Sequence, residues 1–158
     1  MRRRGPRRLR KVKILVAVRP LALYRVIESL FRSRPDFEIV GSQGGFRSLM
    51  ERSRRLLPAL IVVNVSPFET DICWAVASIK RSSPASRLIL LSSVEDFEHQ
   101  ARRCGADGYL HEERLIDRLP RMAGALAAQP ASATSRALSQ PASSCFDADP
   151  KTNQEKWQ

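Results

Sequence analysis

The residue best placed for chemistry is Asn64, the polar side chain interrupting the apolar run ALIVVNVS at residues 59–66. Five apolar residues in succession read as a strand buried on both faces, as in a parallel sheet. In open α/β sheets the ligand crevice lies beyond the carboxyl ends of such strands. A carboxylate at that edge could bind a metal or attack an electrophile. An amide is a poor nucleophile, and no neighbour in the sequence activates it. His99 and His111 lack metal-ligand spacing and read as surface residues. Cys73, Cys104 and Cys145 contain no CxxC pair, and the first two read as small hydrophobes in a reducing compartment. The chain has no Gly-rich phosphate loop, zinc pattern or Ser/His/Asp set. These residue types point to a binding module, not an enzyme, and imply no cofactor.

The elements that must position Asn64 follow from apolar period and turn chemistry. Strands are expected at residues 12–18, 37–40, 59–65, 87–92 and 108–110. Helices fall between them. The first starts at Pro20 and carries Leu23, Ile27, Leu30 and Phe31 on one side. The second has an apolar stripe of Phe46, Leu49, Met50, Leu56 and Leu57, completed by Ser53. The third covers residues 69–82, with Glu69 and Asp71 at its positive end. It carries Trp74 at a packing edge. The fourth covers 95–103 and the last 113–126, where Pro120 is expected to kink or break it. Such alternation implies βαβ units in a doubly wound parallel α/β sheet with helices on both faces.

The 158 residues carry a net charge of +11, unevenly distributed. Residues 1–13 hold eight Arg/Lys and no acid, residues 14–127 sixteen bases against thirteen acids, and residues 128–158 three of each. The excess is therefore mainly a short arm, and no basic groove reads from the sequence of the folded part. Residues 1–11 form a basic arm expected to be disordered, without an apolar stretch of signal-peptide length. Residues 12–127 form one domain. Residues 128–158, rich in Ala, Ser, Pro and Gln, read as a disordered tail too polar to form a helix-turn-helix. No segment is apolar for the roughly 18 residues a membrane span needs, so a cytoplasmic chain with no membrane contact is expected.

The segments KILVAVRPLALYRVIESL, SRPDFEIVGSQGG, LLPALIVVNVSPFETD, SRLILLSS and CGADGYLHE, in that order, resemble the receiver domain of two-component response regulators. The resemblance covers residues 14–112 and is nearest the type that precedes a helix-turn-helix output domain. It implies a flavodoxin-like five-stranded sheet of order 2-1-3-4-5. It also implies where a phosphorylation site would fall, and this sequence departs from that site. The acidic pair that holds magnesium in the family falls on Val18 and Arg19, and the phosphoacceptor aspartate on Asn64. The lysine after the fifth strand falls on Glu112. The hydroxyl and aromatic switch positions survive as Ser92 and Tyr109. An isopropyl group and a guanidinium supply none of the hard oxygen ligands Mg²⁺ requires, and phosphoryl transfer relies on metal and lysine for charge stabilisation. The resemblance therefore implies a degenerate receiver without Mg²⁺. Arg19 is expected to fill the metal position, its guanidinium reaching Asn64 or Glu112.

Two functions follow. The first is a phosphorylation-independent module in bacterial signalling, binding a protein or a second copy of itself. The family's fourth-helix, fifth-strand, fifth-helix face corresponds to residues 97–126, with Phe97, Tyr109, Leu115 and Leu119 as partner contacts. The second is nucleic-acid binding through Arg2, Arg3, Arg4, Arg7, Arg8, Arg10 and Lys11. A decayed regulator without activity is a third reading.

Overall fold

In the computed structural model, residues 10–41, 46–65 and 71–129 are described. Five strands, β1 (Val12–Ala17), β2 (Phe37–Gly41), β3 (Leu60–Asn64), β4 (Arg87–Ser92) and β5 (Gly108–His111), form one parallel sheet in the order β2-β1-β3-β4-β5. The helices between them are α1 (Leu21–Arg32), α2 (Phe46–Leu56), α3 (Ile72–Ser82), α4 (Glu98–Arg103) and α5 (Leu115–Ala128). A single 3-10 turn, Glu112–Arg114, leads into α5.

Successive strand side chains point to opposite faces, so each central strand feeds two cores. Leu15, Ile61, Val63, Leu88 and Leu90 pack with residues of α2, α3 and α4. Ile14, Val16, Leu60, Val62, Ile89 and Leu91 pack with α1 and α5. The near-continuous apolar strands are the direct consequence, because neither face meets water.

Local signals set several boundaries. Asp71 caps α3, its Oδ1 accepting the Trp74 N–H at 3.0 Å, as an N-cap carboxylate should. Glu69 lies outside the described residues. Gly105, at φ 94, supplies the left-handed turn after α4. Asp107 then anchors the start of β5. Its carboxylate accepts the Leu88 N–H at 2.7 Å, Arg87 at 3.3 Å and the Lys80 ammonium.

Four expectations need correction. Leu57 does not extend the apolar side of α2: it lies beyond the helix at φ 44 and is 70% exposed. Helix α4 begins at Glu98, not Glu95, because Asp96 turns left-handed at φ 58. Pro120 does not break α5, which runs on to Ala128 with Pro120 buried. The burial of Leu115, Leu119, Ala123 and Leu126, each large side chain worth about 1.5–3 kcal/mol, outweighs one missing backbone bond. The reading of Cys73 and Cys104 as unpaired hydrophobes also fails. Cys73 is exposed, and the two form a disulfide joining α3 to the end of α4, with Cα atoms 4.5 Å apart.

That bridge closes a chain segment with a sequence separation of 31, for which loop entropy gives about 3–4 kcal/mol of stabilisation. Reduction, or Cys73→Ser, should lower the urea midpoint of the oxidised protein accordingly. Coincident midpoints would show that the bridge contributes nothing.

Candidate functional site

All parallel strands deliver their C-terminal residues to one edge, so Val18 and Arg19, Asn64, Ser92 and Glu112 arrive there together. Their arrangement centres on the Asn64 carboxamide. Its Oδ1 accepts the Arg19 backbone N–H at 2.9 Å, and its Nδ2 donates to the Arg19 carbonyl at 2.8 Å. The same Nδ2 lies 3.4 Å from Glu112 Oε1. One amide thus joins the loop after β1 to the end of β3 and leans on the residue after β5. Only a group with both a donor and an acceptor can do this.

The main chain of Arg19 meets Asn64 through both its N–H and its carbonyl. The ion pairs among the described residues do not include one between Arg19 and Glu112. The sequence could not show this, because a backbone partner leaves no mark in residue type.

Ser92 and Tyr109 act on the loop between β4 and α4. Ser92 is buried, and its Oγ accepts the Val94 N–H at 3.2 Å. The Tyr109 hydroxyl donates to the Val94 carbonyl at 2.9 Å, while its ring meets Phe97 edge-on at 5.6 Å. A third contact was missed. His111 is half-buried, and its Nε2 lies 3.1 Å from the Ser93 carbonyl. Its only sequence signal was its position ending a strand beside Glu112. Burial, followed by the negative charges of Glu98, Glu112 and Asp96, pushes the Tyr109 phenol above its ordinary 10.0.

The partner-face residues also need correction. Phe97, Leu115 and Leu119 are 3%, 2% and 0% exposed, so they hold the monomer together. The exposed large apolar side chain of that region is Ile116, at 63%. Of the arm residues only Arg10 and Lys11 are described, both exposed. Arg2, Arg3, Arg4, Arg7 and Arg8 lie outside the described residues.

A divalent cation does not suit this donor set. Val18 is buried and apolar, both polar atoms of Asn64 are engaged with main chain, and among the described residues Glu112 is the carboxylate in contact with Asn64. Among the described residues no three His, Cys, Asp or Glu are grouped to hold a metal, and no helix is long and apolar enough to cross a membrane.

This fold is that of response-regulator receiver domains. The signal receiver domain of NarL from Mycobacterium tuberculosis superimposes with TM-score 0.65 at 17% identity, over 75% of this chain and 97% of that one. The response regulator domain of Thermotoga maritima CheB gives 0.63 at 20% identity, covering 77% and 100%. The non-phosphorylated receiver domain of the stress response regulator RcsB from Escherichia coli gives 0.66 at 16% identity, covering 73% and 92%. No family model matches the sequence, and no curated protein does.

Two outcomes are expected at this site. Asn64→Asp turns a carboxylate oxygen toward the Arg19 carbonyl and Glu112, replacing a donor with repulsion. It should cost about 1–3 kcal/mol at neutral pH, part of it regained in acid as the introduced carboxyl protonates. Urea melts at pH 7 and pH 5 measure this, and an unchanged midpoint would contradict the clamp. Tyr109, with its folded-state pKa raised, contributes stability that is present below pH 10 and lost as pH rises through the folded value. Absorbance titration should show one of the two tyrosines ionising late, with that late transition removed by Tyr109→Phe.

Proposed function

We propose that the chain is a pseudo-receiver: a receiver-fold module of bacterial two-component signalling that regulates by binding a protein, without phosphorylation or Mg²⁺. The observation that carries this reading is the Asn64 clamp. In place of a carboxylate exposed to a phosphodonor stands an amide whose donor and acceptor are both engaged by the Arg19 main chain. Ser92, Tyr109 and His111 meanwhile hold the loop after β4 through contacts that require no phosphoryl group. A conformational change needs a ligand with different affinity for two states. Here the usual ligand meets an amide in place of a nucleophile, and the buried isopropyl group of Val18 in place of a metal ligand.

The module is proposed to be non-enzymatic and cytoplasmic, its domain spanning residues 12–127 between an arm and a polar tail. In a reducing cytosol the Cys73–Cys104 bridge would be transient. The partner, a protein or a second copy, is proposed to dock on the surface of α4, β5 and α5 around Ile116 and Tyr109. Nucleic-acid binding through the arm is a second reading, favoured by the charge at the opposite end of the sheet.

Acetyl phosphate or beryllofluoride with Mg²⁺ should leave the mass and the amide NMR spectrum of the protein unchanged. Asn64→Asp alone should not restore a response, since Val18 and Arg19 remain. A Mg²⁺-dependent gain of one phosphoryl group at this edge would overturn the reading.

A further inference from the structure

The helices run antiparallel to the strands, so their C-termini gather at the N-terminal edge of the sheet, opposite Asn64. Basic residues occupy those ends: Arg54 and Arg55 in the last turn of α2, Lys80 and Arg81 in that of α3, and Arg102 and Arg103 in that of α4. Arg34 follows α1, while Lys11 and Lys13 lie at the start of β1.

Backbone bonds make the central part of this edge one surface. The Val12 N–H donates to Asp36 O at 2.7 Å, the Ala59 N–H to Lys13 O at 2.9 Å, and the Arg87 N–H to Ala59 O at 2.9 Å. The turn after α1, the start of β1 and the loops before β3 and β4 are therefore neighbours. Lys80 and Arg87 are occupied with Asp107. By contrast, Lys11, Lys13, Arg34, Arg54 and Arg55 are exposed. The exposed acids of this central part are Asp36 and Glu38. The opposite edge holds Asp71, Glu95, Asp96, Glu112, Glu113 and Asp117.

Helix dipoles favour bases at helix C-termini, which accounts for some of this pattern. They do not account for Lys11 and Lys13, which begin a strand, or for the surplus over the acids beside them.

We infer that this edge is a docking surface for the phosphate backbone of double-stranded DNA. Charge complementarity selects the class of partner. Five strands span about 19 Å, a length over which a duplex presents roughly eleven phosphates. Arginine predominates, and its planar fork suits phosphate. Single strands are read by exposed aromatics, but Phe31 and Phe37 at this end pack against each other, tilted, with centroids 5.2 Å apart, and are not exposed. Residues 128–158, with three acids and three bases, do not complement it. The chain enters β1 here, so the sequence RRRGPRRLRK is tethered to the same edge. The inference extends the arm reading but does not rest on it, because the described surface is proposed to bind without residues 1–9.

The test is fluorescence anisotropy of the full chain with duplex DNA from 0.05 to 0.3 M salt. Removing two phosphate contacts, by Arg54→Gln with Arg55→Gln or by Lys11→Gln with Lys13→Gln, should weaken binding roughly thirty-fold at 0.15 M salt and lower the log–log salt slope by about two. Arg114→Gln with Arg118→Gln, at the other edge, should bind as the parent does. Deletion of residues 1–9 should leave measurable salt-dependent affinity that Arg54→Gln with Arg55→Gln then removes. Circular dichroism confirms that each variant folds.

Parent-like binding by both edge variants would overturn the inference, as would its complete loss on arm deletion alone. Absence of duplex binding at 0.05 M salt would do the same. Tighter binding to single strands, to anionic phosphatidylserine vesicles or to a second copy in head-to-tail assembly would transfer the surface to that occupant and refute the DNA assignment. None of these outcomes bears on phosphodonor insensitivity, which fails or stands at the other edge.

Discussion

The carboxamide of Asn64 is the contact on which the C-terminal edge of the sheet depends. By bonding both the N–H and the carbonyl of Arg19, it continues the pairing of β1 with β3 by one step, using a side chain where the ladder has ended. That constrains the loop after β1 from the centre of the sheet. It also places an amide hydrogen between the Arg19 carbonyl and Glu112. The residue types around it are mutually consistent. A carboxylate at 64 would oppose Glu112, and a lysine at 112 would meet an amide N–H₂ where it sought an acceptor.

The loop after β4 is held by a separate set of contacts that converge on three consecutive residues. Ser92 takes the Val94 N–H, Tyr109 gives to the Val94 carbonyl, and His111 meets the Ser93 carbonyl. Two of the three come from β5, so the position of that strand decides the loop. Gly108 allows β5 its place: a Cβ there would lie 2.7 Å from Met122 Sδ of α5. Asp107, just before it, ties the start of β5 to α3 and β4. The C-terminal edge of the sheet is therefore braced from the opposite end.

Much of the fold was legible because both faces of the sheet are buried. Continuous apolar runs such as ILVAV and ALIVV have few alternatives once helices of one-sided period separate them. Legibility failed where a residue's neighbours in space, not in sequence, decide its state. Leu57 matches the stripe of α2 by type but comes after the last helical residue, where the backbone turns left-handed and carries it into water. Pro120 is a helix breaker by its own geometry, yet Leu119 and Ala123 bury the helix that contains it. Phe97 and Leu119, proposed as contacts for a partner from their place in a resemblance, turn inward because the sheet offers them a core.

What the sequence determined by itself was the alternation of strands and helices, the class of sheet, and the apolar, basic and amide character of Val18, Arg19 and Asn64. Those are properties of residue type and period, which a linear chain carries openly. Tertiary structure alone decided three things. It paired Asn64 with the backbone of Arg19, brought Cys73 to Cys104 across 31 residues, and divided the charges between opposite edges. A segment with sixteen bases against thirteen acids looks nearly balanced along the chain. Parallel strands and antiparallel helices sort many of those bases to one end and many acids to the other. The reason is geometric: a base near each helix C-terminus is a local preference, but the fold points these ends the same way.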